Sequence, residues 1–254
     1  MVRLGWRQLL IALARNQAHR LLGGALRGGT RTSGWPIERQ RRYAESIFGT
    51  LAPHLENPKN LVGLEIGPGD NIEVCRLFLQ AGARRMYAVE KFARDTDEDA
   101  RLVLIRSEIE NIKIPEPIDF AYSNDVLEHL SDVPAAMRVV FAALRPGGQF
   151  VSSIDLRGHN VFGLPERPLD FLTCPDRLWR LMFSHISTTN RVRAFEFSRM
   201  AEQAGFSVVE VIPQDVADVE YLKGLRPHLL PRYRDLPDED LRILQMLLAL
   251  QKPG

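Results

Sequence analysis

LVGLEIGPGDN, residues 61–71, begins as an apolar run, passes through Gly67 and Gly69, and ends in a polar pair before the helix-like NIEVCRLFLQ. That order reads as strand, tight turn, helix. A glycine has no Cβ, so it takes positive φ and lets a ligand approach the main chain, while Pro68 between the two stiffens the turn. A nucleotide-sized pocket is expected there. A second apolar run, Met86 to Val89, ends in Glu90, about 20 residues on, where doubly wound folds place an acid that accepts hydrogen bonds from ribose hydroxyls. The dinucleotide fingerprint GxGxxG is not met, because its third glycine would fall at Ile72. A nicotinamide or flavin enzyme is therefore disfavoured.

Outward from this stretch, short apolar runs alternate with helical segments from Asn60 onward, the pattern of βαβ units and a parallel sheet. Strands are expected at Leu61 to Ile66, Met86 to Glu90, Leu102 to Arg106, Ile118 to Ser123, Gln149 to Ile154 and Ser207 to Ile212. Helices are expected at Pro36 to Leu55, Asn71 to Ala81, Thr96 to Ala100 and Asp132 to Leu144, and over EFSRMAEQAGF with Gly205 at its C′ position. Ser131 or Asp132 can cap the helix that Arg145-Pro146-Gly147-Gly148 stops. Residues 155–193 are too long for an ordinary connection, and long insertions usually carry function. The division expected is an N-terminal helical segment, residues 1–59, that packs on or caps the core, and a domain over residues 60–254 with a substrate-side insertion at 155–193.

The chain has 254 residues, is 45% hydrophobic and 26% charged, and carries a net charge of +1. These values describe an ordinary globular protein with one α/β domain. They give no global attraction to nucleic acid. Cys75 and Cys174 have no metal-ligand spacing and read as small buried hydrophobes in a reducing compartment; no metal site is suggested. With no apolar stretch of about 20 residues, a cytoplasmic protein is expected. Residues 1–36 hold Arg3, Arg7, Arg15, Arg20, Arg27 and Arg31 and no acid. Trp6, Leu9, Leu10 and Leu13 share a helical face there, interrupted by Ile11. The segment reads as a packing or capping helix; a basic helix on an anionic membrane surface is the alternative, with an organelle-targeting peptide ranked below it. GGTRTSG, residues 28–34, reads as a flexible joint.

Glu65, Gly67 and Gly69 together resemble the E-x-G-x-G pattern of the class I S-adenosylmethionine-dependent methyltransferases. Asn71 stands where that family often has a third glycine. Three more segments resemble the family in order: SEIENIKI at 107–114, SNDVLEHL at 123–130, and LRPGG at 144–148 before the fifth strand. The resemblance implies a Rossmann-like, seven-stranded, mostly parallel sheet with helices on both faces and the last strand antiparallel, formed here by the tail DLPDEDLRILQMLLALQKPG. It implies S-adenosyl-L-methionine as cofactor, leaving as S-adenosyl-L-homocysteine. By position, Glu65 inherits the methionine end, Glu90 the ribose, and Glu108 and Ile109 the adenine. The Gly67-Pro68-Gly69 turn, Asn71, Lys91, Asn124 and Asp125 complete the expected cofactor set.

For catalysis, Asp125, Glu128, His129 and His159 lie near strand C-termini. Histidine is the first suspect because its pKa lies near neutrality. His159, in DLRGH, is the candidate base or substrate ligand; His129 and Asp125 are further catalytic candidates, with a structural hydrogen bond and helix capping as their alternatives. Arg157, His159, His185, Asn190 and Arg193 are the candidate substrate residues, since an arginine pair suits a carboxylate or phosphate. Surface ion pairing is the other reading of those arginines. Trp179 and Phe183, four apart, read as core.

SNDV after the fourth strand differs from the [NDS]-P-P-[YF] pattern of enzymes that methylate nucleobase amines, so no nucleic-acid substrate is expected. Aminopropyl transfer is disfavoured because the insertion holds more arginine than acid. The expected activity is methyl transfer to a small-molecule or saccharide-type acceptor, on oxygen. The alternative is a catalytically idle cofactor-binding scaffold or partner protein, with membrane contact through residues 1–30.

Overall fold

In the computed structural model, residues 6–21, 32–91, 99–159, 161–162, 164–182 and 189–254 are described. Seven strands form one sheet: β1 (Val62–Ile66), β2 (Arg85–Val89), β3 (Leu102–Ile105), β4 (Ile118–Asn124), β5 (Leu144–Asp155), β6 (Ser207–Val216) and β7 (Ile243–Gln251). Their order across the sheet is β3-β2-β1-β4-β5-β7-β6. The first five strands pair in parallel, and β7 runs antiparallel to both β5 and β6. All five residues of β1 are buried, as a strand covered on both faces requires, which is why it reads as a continuous apolar run instead of an alternating one. Strand order reverses between β1 and β4. Crevices at such switch points, outside the strands' carboxyl ends, are where open α/β sheets bind ligands.

One face of the sheet is covered by α2 (Ile37–Leu51) and α3 (Glu73–Gln80). The buried residues of α3, Val74, Cys75, Phe78 and Leu79, recur at helical spacing. Phe78 meets Phe48 of α2 edge-on with ring centroids 4.7 Å apart, and stacks on Tyr122 of β4 at 4.8 Å. A Cβ on Gly63 would fall 2.4 Å from the Phe120 ring, so only glycine fits beneath this aromatic layer. The other face is covered by α4 (Val133–Ala143) and α6 (Ala194–Ala204), which bury Met137, Val140 and Phe197.

Asp132, of the two expected caps, takes the role: its carboxylate accepts from the Ala135 amide at 2.9 Å. LRPGG ends α4 as expected, but pairing with β4 already begins at Leu144, with a register shift between Ile118 and Phe120. β6 runs four residues further than expected. The expected helix at 96–100 lies mostly outside the described residues; Asp99 and Ala100 are not helical. Of the expected joint at 28–34, Thr32–Gly34 is a short 3-10 turn and the rest lies outside.

A third cluster joins distant parts of the chain. α1 (Trp6–Leu21) and α5 (Asp176–Met182) pack with α7 (Val219–Leu225), α8 (Pro231–Arg234) and α9 (Asp238–Leu241) around Leu169, Phe171, Leu172, Trp179, Leu222 and Tyr233. Ala12, Leu9 and Leu13 face this cluster, whereas Leu10 is 61% exposed and departs from the expected face. No helix among the described residues is long and apolar enough to cross a membrane.

Candidate functional site

The turn after β1 adopts the backbone that its glycines permit. Gly67 and Gly69 have φ of 69° and 70°, a region that side-chain-bearing residues rarely enter. A Cβ on Gly67 would lie 2.6 Å from a methyl of Val126, whereas one on Gly69 would meet nothing within 4 Å. The turn is therefore braced against the loop after β4 on one side and open on the other. The Gly69 amide donates to Oε2 of Glu90 at 3.1 Å, bringing the acid at the end of β2 across the turn. Oδ1 of Asn71 accepts from the Glu73 amide at 2.8 Å, the first amide of α3, while its Nδ2 is buried with no hydrogen-bond partner. Lys91 pairs with Glu108, and Ile109 is buried.

Glu65 lies at the C-terminal end of β1, 6% exposed, and accepts from the Cys75 thiol and the Tyr122 hydroxyl, each at 2.9 Å. Burial pushes its carboxyl up to about 7, against those two hydrogen bonds. Cys75 is thus a donor to a buried acid as well as a small hydrophobe. Both cysteines are free and buried.

The ends of β4 and β5 gather the expected catalytic candidates. Asp125 has a left-handed backbone, φ 53°, and its amide donates to the Ser153 carbonyl at 2.9 Å. Asn124 donates to its Oδ2 at 3.0 Å, whereas Oδ1 is buried without a partner. Burial, and then the charge of Asp155, push the Asp125 carboxyl up to about 6. Glu128 is 1% exposed; one oxygen accepts from the Asp155 amide at 3.3 Å and the other, Oε2, has no partner. Burial and the nearby Asp125 hold its carboxyl well above the usual range.

His159, also left-handed at φ 46°, places Nε2 3.6 Å from Oδ2 of Asp155. Burial lowers the pKa of its imidazole, with Asp155 acting in the opposite direction. The His129 and His159 rings meet edge-on at 4.8 Å. Arg157 pairs with Asp155 at 3.1 Å and with Asp215. A cavity of about 210 Å³ opens beside them, lined by Asp155, Arg157, His159, Phe162, Arg167 and Phe171.

Two expected substrate residues have other work. Arg193 is fully buried, and its guanidinium donates to the carbonyls of Leu156 at 2.8 Å, Leu241 at 3.1 Å and Ile243. It joins the chain after β5 to the start of β7, and burial lowers its pKa to about 10. Enclosure, with Nη1 and Nη2 on main-chain oxygens and Nε buried without a partner, removes it from the substrate side. Asn190 donates from Nδ2 to the carbonyls of Leu127 at 2.8 Å and Leu130 at 3.2 Å, and from its amide to Glu128 O at 2.7 Å. It holds the turn that carries Glu128 and His129 and leaves no amide proton for a substrate. His185 and Phe183 lie outside the described residues; Trp179 is core, 5% exposed.

Asp155 was readable as an acid at a strand end, four before His159. Thr32 was not: it is 5% exposed and reaches Asp70 from 38 residues away, a proximity that local patterns do not encode.

A family model described as a methyltransferase domain matches residues 37–211. No curated protein matches the sequence. Among solved structures, an S-adenosylmethionine-dependent methyltransferase from Mesorhizobium loti is 20% identical, with 82% of this chain and 98% of that one covered and a TM-score of 0.57. A Listeria monocytogenes protein described in similar terms is 16% identical, with 83% and 100% covered and a TM-score of 0.54. The [4+2]-cyclase SpnF is 14% identical, with 97% of each chain covered and a TM-score of 0.51. At such identities the likeness is one of fold.

Proposed function

The chain belongs to the class I S-adenosylmethionine-dependent methyltransferases, and we propose that it methylates an oxygen of a small-molecule or saccharide-type acceptor held between the end of β5 and the insertion. S-adenosylmethionine is the family's cofactor, and the residues present fit it. Beside Gly69 the main chain is open, and Nδ2 of Asn71 is a buried polar atom without a protein partner, an arrangement that costs free energy unless a ligand satisfies it. When bound, the cofactor supplies an electrophilic methyl on sulfonium.

The residues proposed to hold it are the Gly67-Pro68-Gly69 turn, Asn71, Glu65, Lys91 and Asn124, with Glu90 accepting from the ribose hydroxyls and Glu108 and Ile109 beside the adenine. Displacement at a methyl is in line, so the protein's main contribution is to hold donor and acceptor together, worth up to roughly 7–11 kcal/mol in well-oriented systems. A positioned base adds about 10² to 10⁴-fold. Asp125 is the group assigned to take the acceptor's proton. The observation that carries this is its position: the neighbouring Val126 braces Gly67, its amide is fixed on β5, and Oδ1 is buried and unengaged. Arg157 and His159 line the cavity where the acceptor is placed.

The test is transfer of radiolabelled methyl from S-adenosylmethionine into a metabolite extract of the source cells, partitioned into aqueous, lipid and polymer fractions. Label in an aqueous or polymer product, reduced about 10² to 10⁴-fold in Asp125→Asn with cofactor affinity within a few-fold of wild type, supports the reading. No label in any fraction, with cofactor binding intact, refutes it in favour of an idle scaffold. Wild-type turnover in Asp125→Asn removes that residue as the base.

A further inference from the structure

The acid–imidazole cluster at the ends of β4 and β5 has a composition that a proton acceptor alone does not require. Neither cysteine has a metal-ligand spacing. Folding nevertheless brings one donor atom each from Glu128, His129 and His159 to within 4.8 Å of one another. Glu128 and His129 come from the turn after β4, and His159 from the loop after β5.

We propose that Glu128, His129 and His159 bind a divalent first-row transition ion, with zinc the ion that the donor set suits. Two imidazoles and one carboxylate are a donor set used by catalytic zinc sites, where further coordination positions stay open for substrate or water. Ligand atoms around a tetrahedral zinc stand about 3.4 Å apart, given bonds of roughly 2.0–2.1 Å. Closing from separations of at most 4.8 Å takes no more than about 1.4 Å.

Four features of the cluster support the site. Glu128 is 1% exposed, and its Oε2 has no hydrogen-bond partner; a buried carboxylate oxygen in that state is costly unless a proton or a cation meets it. Three carboxylates, Asp125, Glu128 and Asp155, converge here, and Arg157, which pairs with Asp155, is shared with Asp215. The surroundings also hold the ligands in place. Asn190 pins the 127–130 turn through three main-chain carbonyls, and Asp155, 3.6 Å from Nε2 of His159, stands where outer-shell carboxylates orient ligating imidazoles. His159 itself keeps a left-handed backbone, φ 46°, of the kind that persists at functional sites when its surroundings enforce it.

The role of the ion rests on the methyltransferase reading. An aliphatic hydroxyl is far less acidic than a carboxylic acid, and an acceptor oxygen at an open coordination position would lose its proton more readily. Asp125 would then take that proton from an activated hydroxyl.

The test uses Co²⁺ alone as probe, added to the full chain after chelator treatment and desalting, and reads the visible bands that imidazole-bound cobalt gives. One equivalent is expected to bind, with affinity lowered at least tenfold in His159→Asn, which suits the left-handed backbone, and in Glu128→Gln. His54→Gln, away from the cluster, should bind as wild type. Binding of the demethylated cofactor, followed by calorimetry, shows that each variant is folded. No saturable binding, or equal binding in all variants, overturns the site. Cobalt binding without methyl transfer to any acceptor leaves the site standing and counts against the methyltransferase reading instead. Methyl transfer that is unchanged after chelation removes the ion's catalytic role.

Discussion

Thr32 donates both its main-chain amide, at 3.0 Å, and its hydroxyl, at 2.7 Å, to Oδ1 of Asp70 in the glycine turn. The segment before α2 is thereby tied to the loop that the cofactor approaches. Thr32→Val keeps the shape and removes the hydroxyl bond, which is worth about 1 kcal/mol. S-adenosylhomocysteine affinity is expected to fall about fivefold by calorimetry. Unchanged affinity would mean that Glu90 and Val126 hold the turn without help.

Glu90 tests the opposite side of the same turn. Its carboxylate accepts from the Gly69 amide at 3.1 Å, and the ribose assignment adds hydroxyl donors to it. Glu90→Ala is expected to weaken cofactor binding about 10 to 100-fold, on the scale of roughly 1.5–3 kcal/mol for hydrogen bonds to a charged group, while the melting temperature of the cofactor-free protein stays close to wild type. A large loss of stability with proportionate loss of binding would make Glu90 a fold residue instead.

Glu65 sets a pH dependence. Its folded carboxyl is pushed up to about 7 by burial, above the unfolded value of about 4.3. The folded state therefore binds more protons between these values, and stability falls as pH rises through that window. Glu65→Gln cannot titrate. Its stability relative to wild type is expected to rise by up to about 1.4 kcal/mol per pH unit between pH 5 and 7 and then level off. Denaturant midpoints of the cofactor-free protein at pH 5, 6, 7 and 8 measure it; a flat difference would show that Glu65 is ionised throughout.

Arg193→Met separates a clasp from a substrate ligand. The buried guanidinium serves three carbonyls, Leu156, Leu241 and Ile243. Leaving them without a donor should cost about 3 kcal/mol or more, read as a lower denaturant midpoint. The folded fraction should bind cofactor and acceptor as wild type does. A normal midpoint with a raised KM for acceptor would restore Arg193 to the substrate side.

Much of this architecture is local and therefore legible. The β1 run, the two glycines, the Asp132 cap and Gly205 at the end of α6 are set by φ preferences and by the burial of neighbouring residues, so a linear reading finds them. The arginines show the limit. Arg157 and Arg193 look alike in sequence, yet one lines a cavity and the other is fully enclosed, because what surrounds a side chain comes from elements far away in the chain.

From the sequence alone come the sheet and its glycine turn, the family, the cofactor, and the strand ends at which chemistry gathers, because each depends on residues within one turn, one strand or one short motif. Tertiary structure alone decided that Asn190 and Arg193 serve the scaffold, that Thr32 ties the N-terminal segment to Asp70, and that Glu128, His129 and His159 converge. Those relationships are contacts between segments about 30 to 60 residues apart, and they arise only when hydrophobic burial closes the chain on itself and brings polar groups with it.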